Sequence, residues 1–178
     1  PGKLLPVKTV LQLITLAAEA LNYAHQHKIV HRDIKPANIM LIPKSSTIKI
    51  TDFGIARITD SSKTKTGMVL GTPSYMSPEQ LVGKHIDGRS DIFSLGIMLF
   101  QLLSGQLPFK GDSMASLMFA IANEQHPNII DSRKNLEQTI PGIGSIIDKV
   151  LEKTPEHRYQ TGGELAKDIR ACLKSFKK

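Results

Sequence analysis

The chain has 178 residues, with 23 Lys and Arg against 16 Asp and Glu and a formal charge of +7. That length supports one substantial hydrophobic core, so one domain or one lobe of something larger is expected. A positive balance suits nucleic acid, an acidic membrane surface or a polyphosphate ligand, and equally a merely basic surface; with no Trp, three Tyr and no interleaving of aromatics with cations, the pattern of a base-stacking nucleic-acid platform is missing.

From Val7 to about His27, Val10, Leu11, Ile14, Ala17, Ala18, Leu21 and Ala24 recur at three- and four-residue spacing, which predicts an amphipathic helix with Pro6 suited to its first turn. The polar run His31–Asn38 follows, and Pro36 excludes a regular helix there, so an ordered loop is predicted. Ile39–Ile42 and Ile48–Ile50, separated by Pro43-Lys44-Ser45-Ser46, predict a small β-hairpin. Asp52-Phe53-Gly54 comes directly after it. Ile58–Gly71 is rich in Thr, Ser, Lys and Gly without apolar period and predicts a long mobile loop.

Beyond it the pattern is helical: Pro78–Val82, Asp91–Leu103, Ser113–Asn123, Ile143–Leu151 and Gly163–Phe176, with breakers at Gly83, Gly88, Gly105, Pro108, Pro127, Pro141-Gly142 and Pro155. The longest apolar run, Ile92–Leu103, is broken by Ser94, Gly96 and Gln101 and is too short for a bilayer, so a buried core helix and no membrane segment within this chain are expected. Cys172 has no partner cysteine, which rules out an intrachain disulfide and suits a reducing, cytoplasmic setting. A chain opening Pro1-Gly2, with no initiator Met or signal-peptide pattern, is expected to be an excerpt of a longer protein whose membrane anchor, if it has one, lies outside these residues. The sum is a mainly α fold with a small β-hairpin.

The chemistry concentrates at Asp33, Lys35, Asn38 and Asp52. A carboxylate, an ammonium two residues on and an amide five residues on, in a loop between a helix and a strand, bring together a hydroxyl-activating acid, a phosphate-binding cation and an oxygen ligand for magnesium. Asp52 adds a second hard oxygen ligand. Singly, each has a plain explanation: Asp33 as a turn former, Lys35 as a solvated charge, Asn38 as a loop-ending side chain, Asp52 as a cap.

Jointly they form His31-Arg32-Asp33-Ile34-Lys35-Pro36-Ala37-Asn38 followed by Asp52-Phe53-Gly54, which resembles the catalytic and magnesium loops of eukaryotic-like Ser/Thr protein kinases, in a style nearer to bacterial members. The resemblance covers the whole chain, residues 1–178, and is to the helical C-terminal lobe of the kinase fold (α+β): catalytic loop 31–38, magnesium loop 52–54, activation segment 52–79 and helical subdomain 80–178. It implies that Asp33 orients the substrate hydroxyl, that Lys35 contacts the transferred phosphate, and that Asn38 and Asp52 hold Mg2+. Met40 would floor the adenine pocket of ATP, with core packing as its plain alternative.

Gly71-Thr72-Pro73-Ser74-Tyr75-Met76-Ser77-Pro78-Glu79 resembles the end of the activation segment, with Ser77 in place of the more usual Ala. Thr72 would lie near Asp33 and Lys35, and Glu79 would form a buried ion pair with Arg158. Asp91 would hold the backbone of the catalytic loop or serve as a helix N-cap, and Phe93 stands where many members carry Trp. Arg32 marks the class in which a phosphorylated loop residue pairs with that arginine; Thr64 and Thr66 are the candidate phosphosites, ahead of Ser61 and Ser62.

No G-x-G-x-x-G phosphate loop precedes the first helix in these residues, so the N-lobe is expected to be absent from this chain and the 178 residues alone to be inactive. The implied partners are a protein substrate offering a Ser or Thr hydroxyl, the N-lobe of the same protein, and a second copy for autophosphorylation. A non-catalytic kinase-like scaffold and a truncated lobe acting as an interaction module are the competing readings.

Overall fold

The structure, a computed structural model, describes residues 4–42, 47–53, 73–133 and 136–176. Helix α1 spans Val7–Gln26, and all seven of its periodic apolar residues are buried. A short 3-10 turn at Pro36–Asn38 closes the polar loop and leads into strand β1, Ile39–Ile42. Strand β2, Thr47–Ile50, pairs antiparallel with it, Ile39 opposite Ile50 and Ile42 opposite Thr47. The turn predicted at 43–46 lies outside the described residues.

A 3-10 turn at Pro73–Tyr75 precedes α2, Pro78–Leu81, whose N-cap Ser77 and Gln80 form a capping box. Helix α3, Gly88–Ser104, is the axis of the molecule, with Ile92, Phe93, Leu95, Ile97, Leu99, Phe100 and Leu103 buried. Helices α4 (Met114–Asn123), α5 (Ile129–Ser132), α6 (Leu136–Thr139), α7 (Ile143–Val150) and α8 (Gly162–Lys174) complete the lobe.

Two expectations need correction. Gly88, predicted as a breaker, is the first residue of α3, so the helix begins three residues before Asp91. Asp91 is not the N-cap: Asp87 is, accepting the Arg89 amide at 2.9 Å. Asp91 is therefore free for a task inside the core.

The packing explains where the His31–Asn38 loop sits. Helix α1 is clamped between α3 and α8, and the Gly162 backbone approaches the Ala18 carbonyl so closely that no Cβ fits between them. Asn22 of α1 accepts the Gly163 amide at 3.1 Å, and Arg170 pairs with Glu19 across the same seam. The C-terminal end of α1 thereby lies against the start of α3. The loop leaving α1 emerges beside a buried part of the central helix.

Candidate active site

The His31–Asn38 loop is pinned from behind by Asp91, which is 1% exposed. Its Oδ2 accepts the His31 amide at 2.8 Å and its Oδ1 the Arg32 amide at 2.7 Å. A buried carboxylate is costly unless donors surround it, and here two of the donors are loop backbone. The backbone they hold is unusual, because Arg32 has φ +69°, in the left-handed region that non-glycine residues seldom occupy. Such a conformation persists where its surroundings over-determine it. Gln80 of α2 adds a third tie, donating from Nε2 to the Arg32 carbonyl at 2.8 Å.

His31 is fully buried and stitches the loop to the segment after β2. Nδ1 accepts the Asp33 amide at 3.2 Å, so Nε2 carries the hydrogen and donates to the Thr51 carbonyl at 2.8 Å. The imidazole also packs on Phe53, ring centroids 4.6 Å apart. From the other end, the Thr51 amide donates to the Asn38 carbonyl at 2.9 Å. Asp52, one residue beyond Thr51, is exposed and at φ +56°.

The acid at the centre is half-exposed and surrounded by donors. Asn38, 4% exposed, donates from Nδ2 to the Asp33 carbonyl at 2.8 Å and to its carboxylate at 3.1 Å. Lys35 Nζ lies 2.8 Å from Asp33 Oδ2. With its Nδ2 so engaged, Asn38 keeps Oδ1 as its acceptor, and Asp52 brings a carboxylate one residue beyond the Thr51 bond to the Asn38 carbonyl. Two hard oxygen donors suit a magnesium ion that completes its shell with water and substrate phosphate. Among the described residues no group of three His, Cys, Asp or Glu could hold a metal by protein ligands alone.

Met40 is 56% exposed on β1, and Leu41 and Ile42 are exposed beside it. Among the described residues Met40 is thus not part of the hydrophobic core. Glu79 and Arg158 meet in a buried two-bond pair, Nη1 to Oε1 at 2.7 Å and Nη2 to Oε2 at 2.8 Å. Thr64, Thr66, Ser61, Ser62, Thr72 and Gly54 lie outside the described residues.

Sequence reasoning missed Gln80, which ties α2 to the His31–Asn38 loop, and Ser90, which donates to Glu79 at 2.6 Å. Ser90 stands in no recognisable motif. The capping-box spacing of Ser77 and Gln80 was the one local signal available.

A helical lobe with one hairpin and a loop of this construction defines a protein kinase C-lobe. The protein kinase domain family matches residues 2–170, and the chain belongs to that family. It is 42% identical over 165 residues to the serine/threonine-protein kinase PknB of Mycolicibacterium smegmatis, covering 91% of this chain and 26% of that protein. It is 43% identical over 165 residues to PknB of Mycobacterium tuberculosis, covering 91% of this chain and again 26% of the relative. The kinase domain of Mycobacterium tuberculosis PknI superposes with a TM-score of 0.70 at 28% identity, covering 96% of this chain and 56% of that one. The chain thus spans about a quarter of the length of these curated relatives.

Proposed function

We propose that the parent protein is an ATP- and Mg2+-dependent Ser/Thr protein kinase and that this chain carries its phosphoryl-transfer residues. The observation that carries the reading is the placement of Asp33, with Asn38 and Lys35 within 3.1 Å of its carboxylate on a loop pinned by Asp91. Asp33 orients the substrate hydroxyl and takes up its proton, while Lys35, exposed beside it, neutralises the phosphoryl group in transit. Asn38 and Asp52 are the residues that would hold Mg2+, whose chemistry is to bridge the phosphates and offset their charge. Arg32, whose backbone is held by Asp91, is the anchor for a phosphate on Thr64 or Thr66, and Thr72 completes the substrate side. These last assignments rest on family resemblance.

The exposed Met40 of β1 is where the N-lobe of the same protein, supplying the glycine-rich loop and strand lysine, would cover the nucleotide. Without that cover ATP has only a floor, so the 178 residues alone are inactive. A non-catalytic scaffold would have no use for the convergence on Asp33. The test is phosphoamino-acid analysis of a generic protein substrate incubated with MgATP and the parent's complete catalytic domain. Label on Ser or Thr is expected; no transfer, or label on Tyr alone, overturns the reading.

A further inference from the structure

Gln80, in the short helix α2, reaches the backbone immediately before the acid Asp33. Its Nε2 donates to the Arg32 carbonyl at 2.8 Å, 48 positions back in the chain. Its Oε1 accepts from Ser77 twice, from the backbone amide at 3.0 Å and from Oγ at 3.1 Å. The side-chain amide can sit only this way round, because the Ser77 N–H can only donate and the Arg32 carbonyl can only accept. Glutamate would supply the acceptor without the donor, and lysine the donor without the acceptor.

The carbonyl that Gln80 holds belongs to the peptide group joining Arg32 to Asp33. The N–H of that same group, the Asp33 amide, donates to His31 Nδ1 at 3.2 Å. Gln80 therefore makes the shorter of the two bonds that restrain this peptide plane, beside an Arg32 at φ +69°. Asp91 binds the amides of His31 and Arg32, which belong to the two preceding peptide groups, so it leaves this plane free to turn. The other end of the tie is firm. Ser77 is fully buried, and Glu79, next to Gln80, is bound twice to Arg158 in the core. Gln80 carries the fixed position of α2 to the peptide beside Asp33.

We propose that Gln80 is a positioning residue for phosphoryl transfer: by holding the Arg32 carbonyl it sets the plane of the Arg32–Asp33 peptide and so aims the Asp33 carboxylate, besides capping α2. The catalytic half of the inference rests on the kinase reading of Asp33; the structural half does not. A turn of this peptide displaces the Asp33 side chain without removing a group that binds ATP or substrate, so the loss falls on kcat.

The test uses two variants of the parent's complete catalytic domain. Gln80→Glu keeps the acceptor for Ser77 and removes the donor to Arg32; Gln80→Met removes both at similar length and without adding charge. Both are expected to lower kcat about tenfold, with the KM values for ATP and protein substrate within about twofold. Only Gln80→Met is expected to lower the melting temperature, by about 2 °C, since only it loses the cap. Amide hydrogen exchange is expected to speed up about tenfold at Asp33 in both variants, and at Ser77 in Gln80→Met alone. Unaltered kcat or unaltered Asp33 exchange in Gln80→Glu overturns the proposal and leaves Gln80 as a cap for α2. If the unaltered domain transfers no more phosphate than Asp33→Asn, the kinase reading fails. Exchange at Asp33 then decides the structural half alone: faster exchange in Gln80→Glu upholds it, and an unaltered rate overturns it.

Discussion

Arg158 is the largest fully buried side chain, and each of its five N–H donors has a place. Two go to Glu79; the others go to the carbonyls of Glu152 at 2.6 Å, Lys153 at 2.8 Å and Arg89 at 3.2 Å. The guanidinium also lies 4.7 Å from the Phe93 ring centroid, so the aromatic at the position often held by Trp keeps a cation on its face. Burial pushes the Glu79 carboxyl up, but the Arg158 and Ser90 hydrogen bonds outweigh it and hold the net value below the ordinary one. A depressed carboxylate stabilises the fold above its unfolded value, about 4.3, and the contribution fades as pH falls through the folded value. Glu79→Ala is expected to cost about 3–5 kcal/mol in denaturant unfolding, because it strands a buried guanidinium; Glu79→Ala with Arg158→Met is expected to cost less than Glu79→Ala alone.

Lys153 has the opposite sign. Burial, followed by the nearby Arg158 charge, lowers its pKa to about 8, although its ammonium donates to the Ile121 carbonyl at 2.6 Å and lies 3.6 Å from the Phe109 centroid. The nearby Glu124 and Glu152 carboxylates favour the charged form and temper the shift. In the unfolded chain the group titrates near 10.4, so between pH 8 and that value the unfolded state binds more protons and stability rises with pH. After allowance for solvent screening the gain is about 1 kcal/mol, absent in Lys153→Met, as read from melting at pH 7.5 and 9.5.

At the scale of elements, the α1–α8 seam depends on how close two backbones come. Gly162→Ala would drive a methyl into the Ala18 carbonyl, and a carbonyl within a helix cannot swing aside as a side chain can. A loss of about 1–3 kcal/mol is expected in denaturant unfolding, with Gly163→Ala, whose Cβ would meet Asn22 at an ordinary 3.4 Å, losing less. The same scale shows which elements the sequence could reveal. Helices α1, α4, α7 and α8 are legible within a residue or two of their ends because each has several turns of apolar period. Helices α5 and α6 have four residues each, too few to establish a period. The start of α3 was misread because glycine ordinarily breaks helices, and its reason at 88, the His25 ring that a Cβ there would meet at 2.5 Å, lies 63 positions away in the chain.

The whole molecule repeats that contrast. Asp33, Lys35, Asn38 and Asp52 were legible because their spacing is a motif, and the structure brings the first three into contact. Gln80 and Ser90 were not, since a single polar residue on a helix has many explanations until its distant partner is known. No described helix is long and apolar enough to cross a membrane. Met40 at 56%, Leu41 at 49% and Ile42 at 41% leave both faces of β1 exposed among the described residues. The isolated 178 residues are accordingly expected to show no measurable MgATP binding by calorimetry at concentrations where the complete catalytic domain saturates.

The central claim is that Asp33 carries the chemistry and not the binding. Its most direct test is the steady-state comparison of Asp33→Asn with the unaltered complete catalytic domain. The expected result is a fall in kcat of about 10²–10⁴ with the KM for ATP within a few-fold, the signature of a lost proton acceptor. A variant that keeps more than half of the unaltered kcat contradicts the assignment of Asp33.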